Sequence, residues 1–266
     1  RVMQRTRGLY PAPLAAVEVC RRTPHLSVEE ALRLERNTIL ELAATPHARH
    51  LIGLFFARET AAKKKPEKEV AVPLDHAVVV GAGVMGSGIS QWLASRGRRV
   101  LLTDVSVEAL GAGMKRIRSL TQAAVAKKGM TRLEARNLLD RIETASTPVP
   151  LNRFHLVIES ATENLDLKQK IFADLARRVP ADTLLATNTS ALSLAEIARN
   201  VTHPERVIGL HFFNPVHQMP LVEIVTLPET GADVRATAVA FVQSLGKVPV
   251  VVADQPGFVV NRILLP

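Results

Sequence analysis

From His76 onward the chain alternates between two textures. Short apolar runs, HAVVV, RRVLLTD, HLVIES, TLLATN, RVIGLHF, LVEIV and VPVVVAD, are separated by stretches of helical pattern. Near-continuous apolar strands alternating with amphipathic helices predict an α/β domain with a parallel sheet covered on both faces. Two helical patterns in a row, 106–128 and 131–141, stand between the second and third runs, so a helical hairpin is expected there. Before His76 the texture is helical throughout. Pro11 and Pro13 open a first helix. Ser27 with Glu30 forms a capping box ahead of Val28, Ala31, Leu32, Leu34 and Ile39, and Pro46 opens a third helix with Leu51, Leu54 and Phe55 on one face. These apolar faces call for a partner surface. The charged, proline-broken KKKPEKEVAVP that follows cannot pack, and a linker at 63–74 is expected between a helical segment 1–62 and a sheet domain 75–254.

Composition narrows the function classes. With 266 residues, 47% hydrophobic and 22% charged, the chain is globular and not disordered or fibrous. A single cysteine, Cys20, leaves no internal disulfide and no cysteine cluster for zinc or iron–sulfur, so no metal is expected, and a reducing, cytoplasmic compartment is. No stretch reaches the ~20 apolar residues of a membrane span. The net charge of +9 is spread along the chain and aromatics are 4%, which argues against nucleic acid and fits a polyanionic small molecule or simply an Arg-rich surface. The chain starts at Arg1 without an apolar leader and stops at Pro266 within a helix-like run, so it reads as a piece of a longer protein.

The strongest local signal is Gly81-Ala82-Gly83-Val84-Met85-Gly86, a G-x-G-x-x-G directly after an apolar strand and opening a helix. In that context Gly81 makes the tight turn, Gly83 lets the backbone approach a pyrophosphate, Gly86 lets helix and strand pack closely, and the helix start supplies N–H groups to the anion. The second strand ends at Asp104, where a carboxylate accepts from ribose hydroxyls and repels a 2′-phosphate. Val105 and Ser106 stand where an NADP enzyme carries an arginine, which selects NAD. The alternative for Asp104 is a cap on the following helix.

A second constellation is His211 of GLHFFNP, with Glu223 twelve residues later in a strand-like run. A base that removes a hydroxyl proton needs a group titrating near neutrality, and a carboxylate on its other ring nitrogen fixes the tautomer. Spacing alone leaves the alternatives open: a hydrogen-bonded structural histidine, and a glutamate paired with an arginine.

The segments GAGVMGSGI, ENLDLK, TNTSALSL, GLHFFNPVHQMPLVEIV and PGFVVNRIL, in this order across 76–266, resemble the NAD-binding domain of L-3-hydroxyacyl-CoA dehydrogenases. Residues 1–70, with YPAPLAAVEV and LFFARE, resemble the last helices of an enoyl-CoA hydratase half and the linker helix of multifunctional fatty-acid β-oxidation α subunits. The resemblance implies a Rossmann-type, doubly wound, mostly parallel sheet with a helical-hairpin insertion, and a further helical domain beginning at 255–266. It implies NAD as cofactor, an acyl-CoA substrate, and a thiolase subunit or a second copy as partner. It implies that His211 is the general base and Glu223 its orienting partner; that Val84, Met85, Glu163 and Lys168 lie against the cofactor; that Ser190, Asn214 and Asn261 contact nicotinamide, substrate or His211; and that Ser119 and Lys127 touch coenzyme A. Read from the residues alone, a solvated helical charge is the preferred reading of Lys168 and a helix cap that of Ser190. A related 3-hydroxybutyryl-CoA or sugar-acid dehydrogenase, or a non-catalytic NAD-binding fragment, are the competing readings.

Overall fold

The computed structural model describes residues 1–63 and 74–264, so the stretch read as a linker lies almost wholly outside the described residues, as do the last two residues of the chain. The chain forms two compact units, Arg1–Lys63 and a larger one containing the sheet. The first holds α1 (Val2–Thr6), α2 (Pro11–Arg22), α3 (Val28–Ala43) and α4 (Pro46–Lys63). The three expected helices are all present, and α1 is an addition. Proline at N1 starts α2. The Ser27–Glu30 box starts α3, with Ser27 Oγ accepting from Glu30 N at 3.3 Å and Glu30 Oε2 accepting from Ser27 N at 3.0 Å. No residue of α1, α2 or α3 is buried, and Leu32, Ile39, Leu51, Leu54 and Phe55 are exposed.

The second unit runs β1 (His76–Val80), α5 (Val84–Ser95), β2 (Arg99–Thr103), α6 (Val107–Ala126), α7 (Arg132–Leu139), β3 (Ile142–Ala145), β4 (Leu156–Glu159), α8 (Leu165–Arg178), β5 (Leu184–Thr187), α9 (Leu194–Ala198), β6 (Val207–Phe212), β7 (Leu221–Thr226), α10 (Ala232–Ser244), β8 (Val248–Ala253) and α11 (Val260–Leu264). The eight strands form one sheet in the order β3-β2-β1-β4-β5-β6-β7-β8. All neighbours are parallel except β6 and β7. This is the doubly wound, mostly parallel sheet with a helical hairpin, α6–α7, between its second and third strands. The short connection 213–220 forces the antiparallel step, because a parallel return needs a crossover of a dozen or more residues.

Apolar side chains fill both faces. One core joins Val79, Ile89, Leu102, Ile117, Ile158 and Ile208 beneath α5, α6 and α10; the other joins Val78, Val157, Phe172, Leu185, Ile197 and Val225 beneath α8 and α9. The chain leaves β1 toward β2 and β3 and returns to β4 on the other side of β1. The order of strands therefore reverses between β1 and β4, and a crevice opens there at their carboxyl ends.

Candidate active site

The glycine turn sits at this reversal point. Gly81 has φ +102°, and a Cβ on it would stand 2.6 Å from Ser160 O in the loop after β4; only glycine lets the two crossovers meet this closely. Gly81 N donates to Thr103 O at 2.7 Å and Ser160 N donates to Val80 O at 2.7 Å, which ties the turn to its neighbours. A Cβ on Gly86 would lie 1.8 Å from Gly81 O, so α5 abuts the turn through a bare backbone. Around Gly83 nothing lies within 4 Å of the place a Cβ would take. With no side-chain cap and no acid in its first turn, α5 presents unpaired N–H groups to that open space. A pyrophosphate fits this cradle by charge and by shape.

Asp104 stands just past the end of β2. Its Oδ2 accepts from Ala82 N at 2.8 Å and its Oδ1 from Ser106 N at 3.0 Å, so the carboxylate is fixed beside the turn with lone pairs to spare. The cap of α6 is Ser106, whose Oγ accepts from Ala109 N at 3.0 Å. A mostly apolar cavity of about 350 Å³ adjoins Asp104, lined by Val80, Thr103, Val105, Ala145 and Ile171 among others.

On the other side of the turn lies a cavity of about 490 Å³ into which Gly83, Val84, Met85, Glu163, Lys168, Ser190, His211 and Asn214 all face. Strand pairing places His211 on β6 directly opposite Glu223 on β7. Their side chains meet at 2.8 Å between Nδ1 and Oε2, and Glu223 Oε1 accepts from Val259 N at 3.0 Å and Val260 N at 2.9 Å. With both glutamate oxygens accepting, Nδ1–H is the donor, and in the neutral ring the lone pair falls on Nε2, which has no hydrogen-bond partner among the described residues. Glu223 is 1% exposed and His211 6%. The imidazole rests against Phe213 and Phe258, with ring centroids at 4.4 and 5.7 Å. The structural-histidine alternative accounts for one ring nitrogen and leaves the other over a cavity.

Lys168 is not a solvated helical charge. It is 1% exposed, and its Nζ donates to Glu159 Oε1 at 2.7 Å and Oε2 at 2.9 Å, with Glu163 Oε2 and Ala161 O each at 3.4 Å. Glu159 also accepts from Thr187 Oγ1 at 2.7 Å and Ala161 N at 2.6 Å. Sequence reasoning missed Glu159; the available signal was a glutamate closing the apolar run HLVIES. Glu163 accepts from Thr189 Oγ1 and from Ser190 N at 2.9 Å. Partial burial pushes its carboxyl up, but these hydrogen bonds and the Lys168 ammonium outweigh that and hold it below the usual range. Ser190 is no helix cap: α9 is capped by Ser193, and Ser190 O instead accepts from Asn261 Nδ2 at 3.0 Å. Asn188, also missed, lines the cavity and accepts from Phe212 N at 2.9 Å. Ser119 and Lys127 are exposed on α6 and its cap and do not line this cavity.

Residues 76–255 match the family described as 3-hydroxyacyl-CoA dehydrogenase, NAD binding domain. The chain belongs to this family. Over 258 residues it is 37% identical to the fatty acid oxidation complex subunit alpha of Acinetobacter baumannii strain AYE, covering 97% of this chain and 36% of that one. The same subunit of Acinetobacter baylyi is 38% identical over 259 residues, with the same coverage. The chain thus spans 36% of the length of these curated relatives. Among solved structures it resembles (S)-3-hydroxybutyryl-CoA dehydrogenase from Ralstonia eutropha, at 38% identity and TM-score 0.70, covering 72% of this chain and 68% of that one. It also resembles 3-hydroxybutyryl-CoA dehydrogenase from Escherichia coli K12, at 40% identity and TM-score 0.70, covering 72% and 41%. The cofactor of the family's domain is NAD, and the cradle, Asp104 and the cavity are the parts of this chain that suit it. No described helix is long and apolar enough to cross a membrane.

Proposed function

We propose that this chain carries the oxidation site of an NAD-dependent L-3-hydroxyacyl-CoA dehydrogenase that forms 3-oxoacyl-CoA in fatty-acid β-oxidation. The observation that carries this reading is the His211–Glu223 pair opening onto the same cavity as the glycine turn. The first turn of α5 holds the pyrophosphate, Asp104 the adenosine ribose, and Glu163 with Ser190 and Asn214 the nicotinamide end. NAD, when bound, supplies the hydride acceptor. His211 Nε2 takes the proton of the 3-hydroxyl, and positive charge grows on an imidazole whose other nitrogen already faces Glu223. The apolar wall of Phe213 and Phe258 keeps water from competing for that nitrogen. Asn261, held on Ser190 O, stands next to this arrangement and orients the substrate oxygen. Ser119 and Lys127 contact coenzyme A further out along α6.

In this reading residues 1–62 are the helical tail of a hydratase-like half with its linker helix, 63–74 a linker, 75–254 the NAD-binding domain and 255–266 the start of a helical domain that closes the acyl-CoA cleft. The protein works in the cytoplasm with a thiolase subunit or a second copy of itself. The solved relatives are named for 3-hydroxybutyryl-CoA, which favours the same chemistry on a short acyl chain as a second reading. The test is NADH formation, followed by absorbance, from L-3-hydroxyacyl-CoA of graded chain length, alongside calorimetric titration with NAD and NADP. NAD-dependent turnover and a preference for NAD that Asp104→Ala reduces by about 1 to 3 kcal/mol are expected. NAD binding without turnover on any chain length would leave a non-catalytic NAD-binding protein.

A further inference from the structure

We propose that Arg116 is a cofactor-binding residue, its guanidinium placed to pair with the pyrophosphate held at the glycine turn; this rests on the reading of that turn as an NAD site. Arg116 lies on α6, outside the G-x-G-x-x-G segment. Its Nη1 is 3.4 Å from Gly83 O and 3.2 Å from Ser87 Oγ, at the edge of the first turn of α5. The cradle that charge and shape assign to a diphosphate is therefore flanked by a full positive charge as well as by helix N–H groups.

That placement is built into the packing. A Cβ on Gly113 would come within 3.0 Å of Ala82 O and 3.1 Å of Ser87 Oγ, so the absent side chain lets α6 pass directly over the turn. Leu110 and Ile117, both buried, fix that helix on the sheet from either side of Gly113. One helical turn after Gly113, the next residue on that flank is Arg116. A side chain there emerges at the mouth of the turn whatever its type; that it is arginine supplies the charge.

The guanidinium has donors to spare. It carries five N–H groups, of which one nitrogen is engaged, on a carbonyl and a hydroxyl that compensate none of its charge. Among the described residues no carboxylate pairs with it. Lys168, a cation that lines the cavity, is spent on Glu159 and Glu163. A diphosphate carrying two negative charges would otherwise meet only the partial charge of the helix start, equivalent to roughly half an elementary charge. Planar, bidentate pairing with phosphate oxygens is what a guanidinium does best.

The experiment is calorimetric titration of the full chain and of Arg116→Gln and Arg116→Lys with NAD and with ADP-ribose, at several salt concentrations, with the thermal midpoint of each ligand-free protein as a control for folding. Arg116→Gln is expected to weaken NAD and ADP-ribose alike by about tenfold or more, because both keep the diphosphate, and to flatten the dependence of affinity on salt. Arg116→Lys should recover part of the loss, and the midpoints should agree. Unchanged NAD and ADP-ribose affinity in Arg116→Gln would overturn the proposal. Failure of the parent chain itself to bind NAD would overturn the cofactor reading, which is a separate result.

Discussion

Two buried pairs of a carboxylate and a nitrogen base flank one cavity, and they are wired differently. In the Glu159–Lys168 pair every strong contact closes inward: the ammonium meets both oxygens of Glu159 and one of Glu163, and the glutamate takes Thr187 and Ala161 as well. In the His211–Glu223 pair the carboxylate is equally saturated, by two backbone amides and Nδ1, but the imidazole is left with one nitrogen uncommitted over the cavity. On the proposed function, the difference separates scaffold from chemistry. A saturated pair fixes the ends of β4 and β5 and the loop that carries Glu163, and spends its hydrogen bonds within the protein. A pair saturated on one side only is a base held in one tautomer.

Breaking the closed pair should produce the largest change in stability. Lys168→Met leaves Glu159 buried without its cation, and a loss of about 3 to 5 kcal/mol in denaturant unfolding is expected. The double variant Glu159→Gln, Lys168→Met should recover much of it, because no buried charge is then stranded. A single variant as stable as the parent would show that the pair is not closed in solution.

Opening the other pair should cost rate and not fold. Glu223→Gln keeps the shape but replaces an acceptor-only group, and kcat is expected to fall by roughly 10²-fold with NAD affinity and thermal midpoint little changed. If the midpoint dropped as far as for Lys168→Met while kcat held, the two pairs would have exchanged roles.

The smallest effect sharpens the boundary between them. Glu163 is 40% exposed and its carboxyl is held below the usual range, so its stabilising contacts are present above the unfolded-state value and are lost as pH falls through the lower folded-state value. Being partly solvent-screened, they are worth less than about 1 kcal/mol. The thermal midpoints of the parent and Glu163→Gln should differ slightly at pH 7 and converge in the acid limb; curves that stay parallel to pH 3 would remove Glu163 from the network.

What was legible in the sequence was built from backbone and periodicity. Gly81 and Gly86 announce themselves because the turn tolerates no Cβ, and seven of the eight strands are apolar runs. β3 was not legible, since IETA at the sheet edge has Glu143 and Thr144 exposed and carries no run to read. From the residues alone Lys168 reads as a surface charge, because its helix is dotted with Asp166 and Lys170 and what buries it is a glutamate on another element. Arg116 gave no signal at all: its neighbour is a carbonyl of a turn thirty-three residues away. Side-chain partners brought together by the crossovers are set by the topology of the sheet, which a local pattern does not contain.

The most direct test of this division of labour is to compare the parent with His211→Gln, measuring NADH formation from L-3-hydroxyacyl-CoA and the NAD dissociation constant on the same samples. With the uncommitted nitrogen replaced, turnover should fall by about 10²-fold or more while NAD binds within twofold of the parent. Turnover retained in His211→Gln would contradict the assignment of His211 as the base.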